Sequence, residues 1–172
     1  MHSVRRAGGG VTFDRPNGGV LRIADGALTQ FDAHRQHDRS APESGGVLLG
    51  RIVVERPDAV VETVTIPSPH DRRSRFAFFR ARRPTQAAIN VAWQASGGTQ
   101  NYIGEWHTHP EDHPSPSWID RRDWQRLARD AKFEQDALFF VIVGRISVAA
   151  WEVPRGGGPA TRLTMRAVQQ GE

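Results

Sequence analysis

Apolar segments of strand or helix length alternate along the chain with turns rich in glycine and proline. Residues 11–13 and 20–23 flank Pro16-Asn17-Gly18-Gly19, a sequence that favours a β-hairpin. The run at 47–54 follows two glycines and is almost continuously apolar, as expected of a buried strand. Further strands are predicted at 59–66, 102–109, 137–143 and 146–153, with an additional edge strand at 161–168.

Helical periodicity occurs at three places between these strands. Residues 27–37 carry Leu28 and Phe31 on one side. A second helix is predicted to begin at Pro84, which suits a first helical turn, and to end at Gly97-Gly98. A third begins at Ser117 and repeats apolar residues at helical spacing: Trp124, Leu127, Ala128 and Ala131. The alternation of strands and helices predicts an α/β fold.

The chain of 172 residues fits one domain that is long enough to bury a core. We expect a flexible N-terminal tail at 1–10, a domain at 11–153 and a C-terminal extension at 154–172. Segment 67–83 is predicted to be a polar loop that is rich in arginine and carries one apolar island, made of Phe76, Phe78 and Phe79.

Composition narrows the class of protein. The content of 38% hydrophobic and 24% charged residues is ordinary for a soluble globular protein. No apolar run reaches 18 residues, so no membrane helix is expected. The N-terminus lacks the apolar stretch of a secretory signal, so we expect a cytoplasmic location. The net charge of +4 comes from scattered arginines, since Lys132 is the only lysine, and this distribution does not favour nucleic-acid binding.

One stretch of the chain concentrates side chains that can bind a metal. Because there is no cysteine, thiolate zinc sites, disulfides and a cysteine nucleophile are excluded. His107 and His109 are two residues apart on a predicted strand and therefore project from the same face. Asp120 lies in the first turn of the following helix and can point back toward them. Two imidazoles and one carboxylate are a usual ligand set for catalytic zinc, with a fourth position left for water.

Each of these residues also has a simpler interpretation. Paired histidines on a strand are commonly surface or hydrogen-bonded residues. Ser117-x-x-Asp120 resembles a capping box, which by itself indicates only a helix start. His113 lies in a proline-rich loop and is interpreted as a solvated loop residue. The combination within 14 residues is what favours a metal site.

The order of these residues resembles a known family motif. His107-x-His109-Pro110, five residues, then Pro116-Ser117-x-x-Asp120 is similar to the motif of the JAMM, or MPN-plus, metalloproteases, in particular their prokaryotic JAB-type branch. That family also carries a glutamate shortly before a buried strand, and Glu43 occupies this place. The resemblance extends over about residues 11–153.

The resemblance implies a fold and a set of roles. The fold is a single-domain α/β/α sandwich with a central mixed β-sheet, of the cytidine-deaminase-like type. Zinc would be bound by His107, His109 and Asp120. Glu43 would act as general base, and Ser117 would donate a hydrogen bond to the oxyanion. Glu105 has the same strand parity as the histidines and is the runner-up for the base, or a partner of the ligands.

The surrounding sequence resembles the JAMM proteins of bacterial defence islands, including deconjugating isopeptidases of CBASS and Bil-type antiphage operons. This implies deubiquitinase-like cleavage after the C-terminus of a ubiquitin-like or otherwise conjugated protein, whose tail would be the partner, beside operon-encoded conjugation enzymes. Membrane and nucleic-acid partners are not expected. Segment 67–83 could contact the substrate through Arg72, Arg73, Arg75 and Phe76; alternatively, its phenylalanines belong to the core and its arginines are solvated.

Three other functions fit part of the pattern. A JAMM peptidase that processes a sulfur-carrier protein would use the same active site. A non-catalytic MPN scaffold would generally lack the ligands that are present here. A nucleobase deaminase shares a related fold and a zinc-activated water, but its Cys-x-x-Cys ligands are absent from this sequence.

Overall fold

A mixed β-sheet forms the centre of the protein in the computed structural model, which describes residues 9–167. Within that range, nine strands belong to the main sheet and two short ones form a separate hairpin. The strands are β1 (Val11–Asp14), β2 (Val20–Ile23), β3 (Gly45–Ile52), β4 (Ala59–Val64), β5 (Arg72–Ser74), β6 (Ala77–Phe79), β7 (Asn101–Thr108), β8 (Ala137–Val143), β9 (Val148–Pro154), β10 (Thr161–Arg162) and β11 (Thr164–Met165).

The order across the main sheet is β10-β9-β8-β7-β3-β4-β2-β1-β11. Neighbours pair antiparallel except β2 with β4 and β7 with β8, which are parallel. The predicted hairpin is confirmed as the antiparallel pair of β1 and β2. The mixed sheet predicted from the family resemblance is therefore confirmed.

In the described part of the chain, three helices cover the sheet: α1 (Asp25–Ala33), α2 (Arg82–Ala95) and α3 (Trp118–Asp130). Side chains of β8 alternate between two cores, so that Phe139 packs with α1 on one face and Phe140 packs with α3 on the other. On the second face Trp124 of α3 stacks on Phe140 with ring centroids 4.8 Å apart. Helices on opposite faces confirm the α/β/α arrangement. None of the helices in residues 9–167 has the length and apolar character needed to cross a membrane.

The C-terminal segment connects the two edges of the main sheet. β10 pairs with β9, and β11 pairs with β1 at the other end of the strand order. Leu163, between the two short strands, is buried in the core. The predicted edge strand at 161–168 is thus two short strands; residue 168, like residues 1–8 of the predicted tail, lies outside the described range.

Two of the differences from the predicted elements concern segments near Glu43. Helix α1 ends at Ala33 rather than near residue 37, since the chain turns there and buries Gln36. Segment 67–83 is not an unstructured loop: β5 and β6 form a hairpin, here called the β5–β6 hairpin, in which Phe78 packs against Gly45. A Cβ atom on Gly45 would lie 2.7 Å from the Phe78 ring, so this packing requires glycine.

Candidate metal centre and cleft

The end of β7 presents three ionisable side chains to one face of the sheet. Glu105, His107 and His109 line the same cleft, as their alternation predicts. Thr108 points to the opposite, buried face. A bulge precedes this stretch where β7 pairs with β3, at Gly104, whose φ is 154°. A Cβ at this position would overlap the carbonyl oxygen of Phe139, so β7 approaches β8 closely only because the residue is glycine.

The loop after β7 brings α3 back over the histidines. Its backbone is tied to the β8–β9 turn: Arg145 N–H donates to the carbonyl of Glu111 over 2.7 Å, and Ser147 N–H donates to the carbonyl of Asp112 over 3.1 Å. His113 is exposed in this loop, as interpreted from the sequence, and its Nδ1 lies 3.0 Å from the hydroxyl oxygen of Ser147. The helix then begins at a reciprocal cap that places a carboxylate in its first turn.

His107, His109 and Asp120 bring three potential ligand atoms together. The two Nε2 atoms are 3.0 Å apart. Oδ1 of Asp120 lies 3.4 Å from Nε2 of His107, and Oδ2 lies 3.2 Å from Nε2 of His109. Ligand atoms on a tetrahedral zinc ion, each about 2.0 Å from the metal, are about 3.3 Å from one another. This triangle of donor groups, in which each carboxylate oxygen of Asp120 faces one histidine, therefore fits a tetrahedral metal ion with one position left open.

The charges at this triangle act on one another. Burial disfavours the carboxylate of Asp120, but the hydrogen bonds from His107 and His109 outweigh burial and hold its pKa well below the ordinary value. Burial likewise disfavours a charged His109, but Asp120 and the nearby Glu43 and Glu111 raise its pKa. Without a metal, the cluster thus favours a proton on the imidazole. A divalent cation would replace that positive charge.

Glu111 is a member of the site that the sequence patterns did not indicate. Its carboxylate Oε1 lies 2.8 Å from Nδ1 of His109, on the side of the ring away from Asp120. A carboxylate in this position fixes the ring orientation and leaves Nε2 free to bind a metal. The signal available in the sequence was an acidic residue directly after His109-Pro110, which has no meaning without the folded loop.

Glu43 lies at the edge of the same cleft and is almost fully buried, with 5% of its surface exposed. Burial raises its pKa to about 8, an effect that His109 partly opposes and that Asp120 and Glu111 reinforce. The carboxyl group therefore carries a proton near neutral pH in the metal-free site. A cation bound nearby would favour the carboxylate and so restore a proton acceptor.

Ser117 and Glu105 complete the inner lining of the cleft, which has a volume of about 470 Å³. The hydroxyl of Ser117 accepts the backbone N–H of Asp120, so the capping interpretation is confirmed. Glu105 forms an ion pair with Arg80, at the end of the β5–β6 hairpin. This pairing holds Glu105 away from the role of a free base and makes it a neighbour of the hairpin.

The β5–β6 hairpin forms the opposite wall of the cleft. Arg75 and Phe76 line the cleft. Phe76 is 70% exposed, and the Arg75 guanidinium lies over its ring. The core interpretation of the phenylalanines is therefore wrong for Phe76 and for Phe79, which are both exposed, while Phe78 is half-buried. Arg73 instead contacts the backbone of Glu43, donating from Nε to its carbonyl oxygen over 2.8 Å. Arg72 is exposed and does not line the cleft.

Comparison with known proteins finds relatives that carry the same name. A CD-NTase/cGAS isopeptidase of Pseudomonas aeruginosa is 38% identical over 138 residues, which span 80% of this chain and 85% of that protein. A CD-NTase/cGAS isopeptidase of Vibrio cholerae is 37% identical over 126 residues, which span 73% of this chain and 77% of that protein.

The fold and the family also agree. The solution structure of protein DSY2949 from Desulfitobacterium hafniense matches with a TM-score of 0.57 at 20% identity, over 84% of this chain and 90% of that one, which indicates a shared fold. The sequence profile described as prokaryotic homologs of the JAB domain matches residues 26–154. The resemblance found in the sequence is thereby confirmed: the chain belongs to the family of prokaryotic JAB-domain proteins.

Proposed function

We propose that this chain is a zinc-dependent isopeptidase that removes proteins conjugated to the C-terminus of a CD-NTase-type protein, in bacterial antiphage defence. The observation that carries the proposal is the triangle of His107, His109 and Asp120 donors, separated by 3.0 to 3.4 Å, beside the buried carboxyl of Glu43. The names of the relatives, CD-NTase/cGAS isopeptidase, support the substrate class.

In this proposal the two imidazoles and the Asp120 carboxylate hold zinc, and Glu111 keeps the His109 ring in its binding orientation. When bound, zinc supplies Lewis-acid activation of water near neutral pH. The His109 and Asp120 side chains are preorganised for this, because the loop and the cap fix them before any ligand enters.

Glu43 and Ser117 perform the proton transfer and the charge stabilisation. Glu43 accepts a proton as the water oxygen bonds to the carbonyl carbon. Ser117 Oγ–H donates a hydrogen bond to the carbonyl oxygen as negative charge develops on it. Glu43 then delivers the proton to the amine nitrogen, the C–N bond breaks, and the products are a carboxylic acid and a lysine amine. The burial of Glu43 keeps bulk water from competing for that proton.

The shape of the cleft supports an extended tail as substrate. The cleft runs between α3, which contributes Ile119, and the β5–β6 hairpin, which contributes Phe76 and Arg75. An extended C-terminal tail presents its last carbonyl without a competing fold, and sheet edges commonly bind such segments through backbone hydrogen bonds. The exposed ring of Phe76 would cover the tail, and Arg75 would meet acidic groups.

The test is cleavage of a defined conjugate. The probe is a bacterial CD-NTase with its C-terminal carboxyl joined to the ε-amine of a fluorescent lysine peptide. We expect zinc-loaded protein to release the peptide and Glu43→Ala to retain zinc without releasing it. Release by the chelated protein, or by Glu43→Ala at the wild-type rate, would overturn the proposal. Cleavage of a sulfur-carrier fusion in preference to the conjugate would indicate a sulfur-carrier protein as the substrate, with the same hydrolytic mechanism.

A further inference from the structure

A buried polar network lies behind the cleft, on the opposite side of β7. The side chain of Gln36 is 1% exposed, and that of Thr108 is fully buried. Thr108 Oγ1 donates to Oε1 of Gln36 over 2.8 Å and accepts the backbone N–H of Ser44 over 2.9 Å. Polar groups at this depth are costly unless they are satisfied, so the network has one low-energy arrangement.

This network joins the two segments that carry the candidate catalytic groups. Thr108 lies between His107 and His109, and Ser44 directly follows Glu43. The backbones are locked in both directions, because Thr108 N–H donates to the Ser44 carbonyl over 2.9 Å while the Thr108 hydroxyl receives the Ser44 N–H. The spacing between the histidines and Glu43 thus depends on Thr108.

Gln36 extends the connection to the β5–β6 hairpin. Its Nε2 donates to the carbonyl of Ala41 over 3.0 Å and to the carbonyl of Arg75 over 2.9 Å. The hairpin in turn contacts Glu43 directly, since the Ser74 carbonyl accepts the Glu43 N–H over 2.6 Å. One amide therefore holds the metal-binding strand, the segment before Glu43 and the hairpin in a fixed relation.

We infer that Gln36 and Thr108 are positioning residues, which hold the Glu43 carboxyl in register with the metal triad from the far side of the sheet. This rests on the proposed function, in which Glu43 is the base. Neither side chain reaches the cleft, so their effect is on geometry and not on contact with substrate. A shift of about 1 Å in a reacting group can cost on the order of a hundredfold in rate.

The matched variants are Thr108→Val, which removes the hydroxyl at nearly constant volume, and Thr108→Ser, which keeps it. Thr65→Val is the control, because Thr65 Oγ1 also accepts a backbone N–H, that of Val47 over 2.8 Å, outside this network. The probe is the fluorescent CD-NTase conjugate described above. We expect kcat of Thr108→Val to fall about ten- to a hundredfold, with KM and zinc content unchanged.

We also expect Thr108→Ser to retain most of the wild-type kcat. Thr65→Val should have a lower melting temperature than the wild type but an unchanged kcat. Gln36→Met, which keeps the length of the side chain, serves as the second variant if Thr108→Val does not fold. Wild-type kcat in both Thr108→Val and Gln36→Met, alongside an inactive Glu43→Ala, would overturn this inference alone. An active Glu43→Ala would instead overturn the choice of base. An equal loss of kcat in Thr65→Val would show that the effect of Thr108→Val comes from lowered stability, and it would also overturn the inference.

Discussion

Ser117 and Asp120 hold each other in a reciprocal pair of hydrogen bonds at the start of α3. The N–H of Ser117 donates to Oδ2 of Asp120 over 2.8 Å, and the N–H of Asp120 donates to Oγ of Ser117 over 3.1 Å. The same Oδ2 lies 3.2 Å from Nε2 of His109. The cap therefore fixes the carboxylate beside the histidines, and the Ser117 hydroxyl keeps its own proton free to donate into the cleft.

Two substitutions separate the capping role of Ser117 from its proposed oxyanion role. Ser117→Ala removes both, whereas Ser117→Gly removes the hydroxyl but remains a tolerable cap that costs only a few tenths of a kcal/mol. If the hydroxyl stabilises the oxyanion, both variants lose about 10²- to 10³-fold in kcat. Melting temperature and kcat are measured on the same preparation. A Ser117→Gly variant with wild-type kcat would leave Ser117 as a cap only.

We expect one zinc ion per chain, and we expect substitutions at the metal site to weaken zinc binding to different degrees. His109→Ala should lose most of the zinc, because three protein ligands leave no spare one. Glu111→Ala should keep the stoichiometry but bind zinc about 10- to 100-fold more weakly, since His109 loses the carboxylate that orients its ring. Affinity is measured by competition with a chelating indicator.

Two control variants support this measurement. Glu111→Gln retains an acceptor for Nδ1–H of His109 and should restore most of the affinity. Glu134→Ala removes an exposed carboxylate in the loop before β8 and should bind zinc normally. Full zinc occupancy in His109→Ala would contradict the assignment of the ligands.

The stability of the metal-free protein should fall as pH rises from about 5 to 9. The pKa of Glu43 is raised from 4.5 to about 8 by burial, so between these values the unfolded chain loses a proton that the folded chain keeps. Asp120 also raises the pKa of His109 in the folded protein, although burial opposes this effect. His109 therefore stabilises the fold below its unfolded pKa, and this contribution is lost as pH rises through its folded pKa. Both groups act in the same direction.

Glu43→Gln should flatten this dependence. The variant avoids a buried carboxylate, so its free energy of unfolding should match that of the metal-free wild type near pH 5. At pH 9 it should be higher than that of the wild type by roughly a few kcal/mol. Melting temperatures are recorded in chelator across the pH range. A wild type whose stability increased between pH 6 and 9, or a variant with an identical slope, would show that Glu43 is not buried as a neutral group.

The sequence predicted the part of the site that is encoded by short-range spacing. His107 and His109 share a face because of strand alternation, and Ser117 and Asp120 meet because they are three residues apart on a helix start. The contact of Thr108 with Gln36 joins residues 72 positions apart, and the contact of Thr108 with Ser44 spans 64 positions. No local pattern encodes such partners.

The secondary structure likewise divides into elements that local patterns predict and elements that depend on distant residues. Strands and helices with clear periodicity were predicted at nearly the observed positions. The β5–β6 hairpin was not, because its strands are only three residues long, and they are held by Arg73 and Ser74 against the segment around Glu43. Such short strands depend on tertiary contacts and not on propensity.

The position of Arg73 changes how the substrate-binding proposal should be tested. Its guanidinium donates to the Glu43 carbonyl over 2.8 Å and to Oγ of Ser44 over 2.7 Å. Replacing Arg73 would therefore disturb the candidate base as well as the hairpin. A variant that also removed Arg72 and Arg75 could not separate a defect in binding from a defect in chemistry.

The informative variant is Arg72→Ala combined with Arg75→Ala, because both residues are exposed and neither guanidinium contacts Glu43. If they meet acidic groups of the substrate tail, KM for the fluorescent conjugate should rise about three- to tenfold while kcat is retained, since exposed charge pairs contribute up to about 1 kcal/mol. The difference from wild type should shrink as salt is raised, because exposed charges are screened over about 10 Å at 0.1 M. Phe76→Ala should raise KM in a way that salt does not change, since it removes apolar contact area.

Arg82→Ala with Arg83→Ala is the matched control: it removes two exposed arginines just outside the hairpin, at the start of α2. It should leave KM at its wild-type value, because these side chains lie on α2 and not on the hairpin that is proposed to meet the tail. If the control raised KM as much as the Arg72 and Arg75 pair, the effect would come from net charge alone. An unchanged KM for the Arg72 and Arg75 pair at low ionic strength would exclude their charges from substrate binding, and Phe76 would then be the only tested hairpin residue with a role in the affinity for the tail.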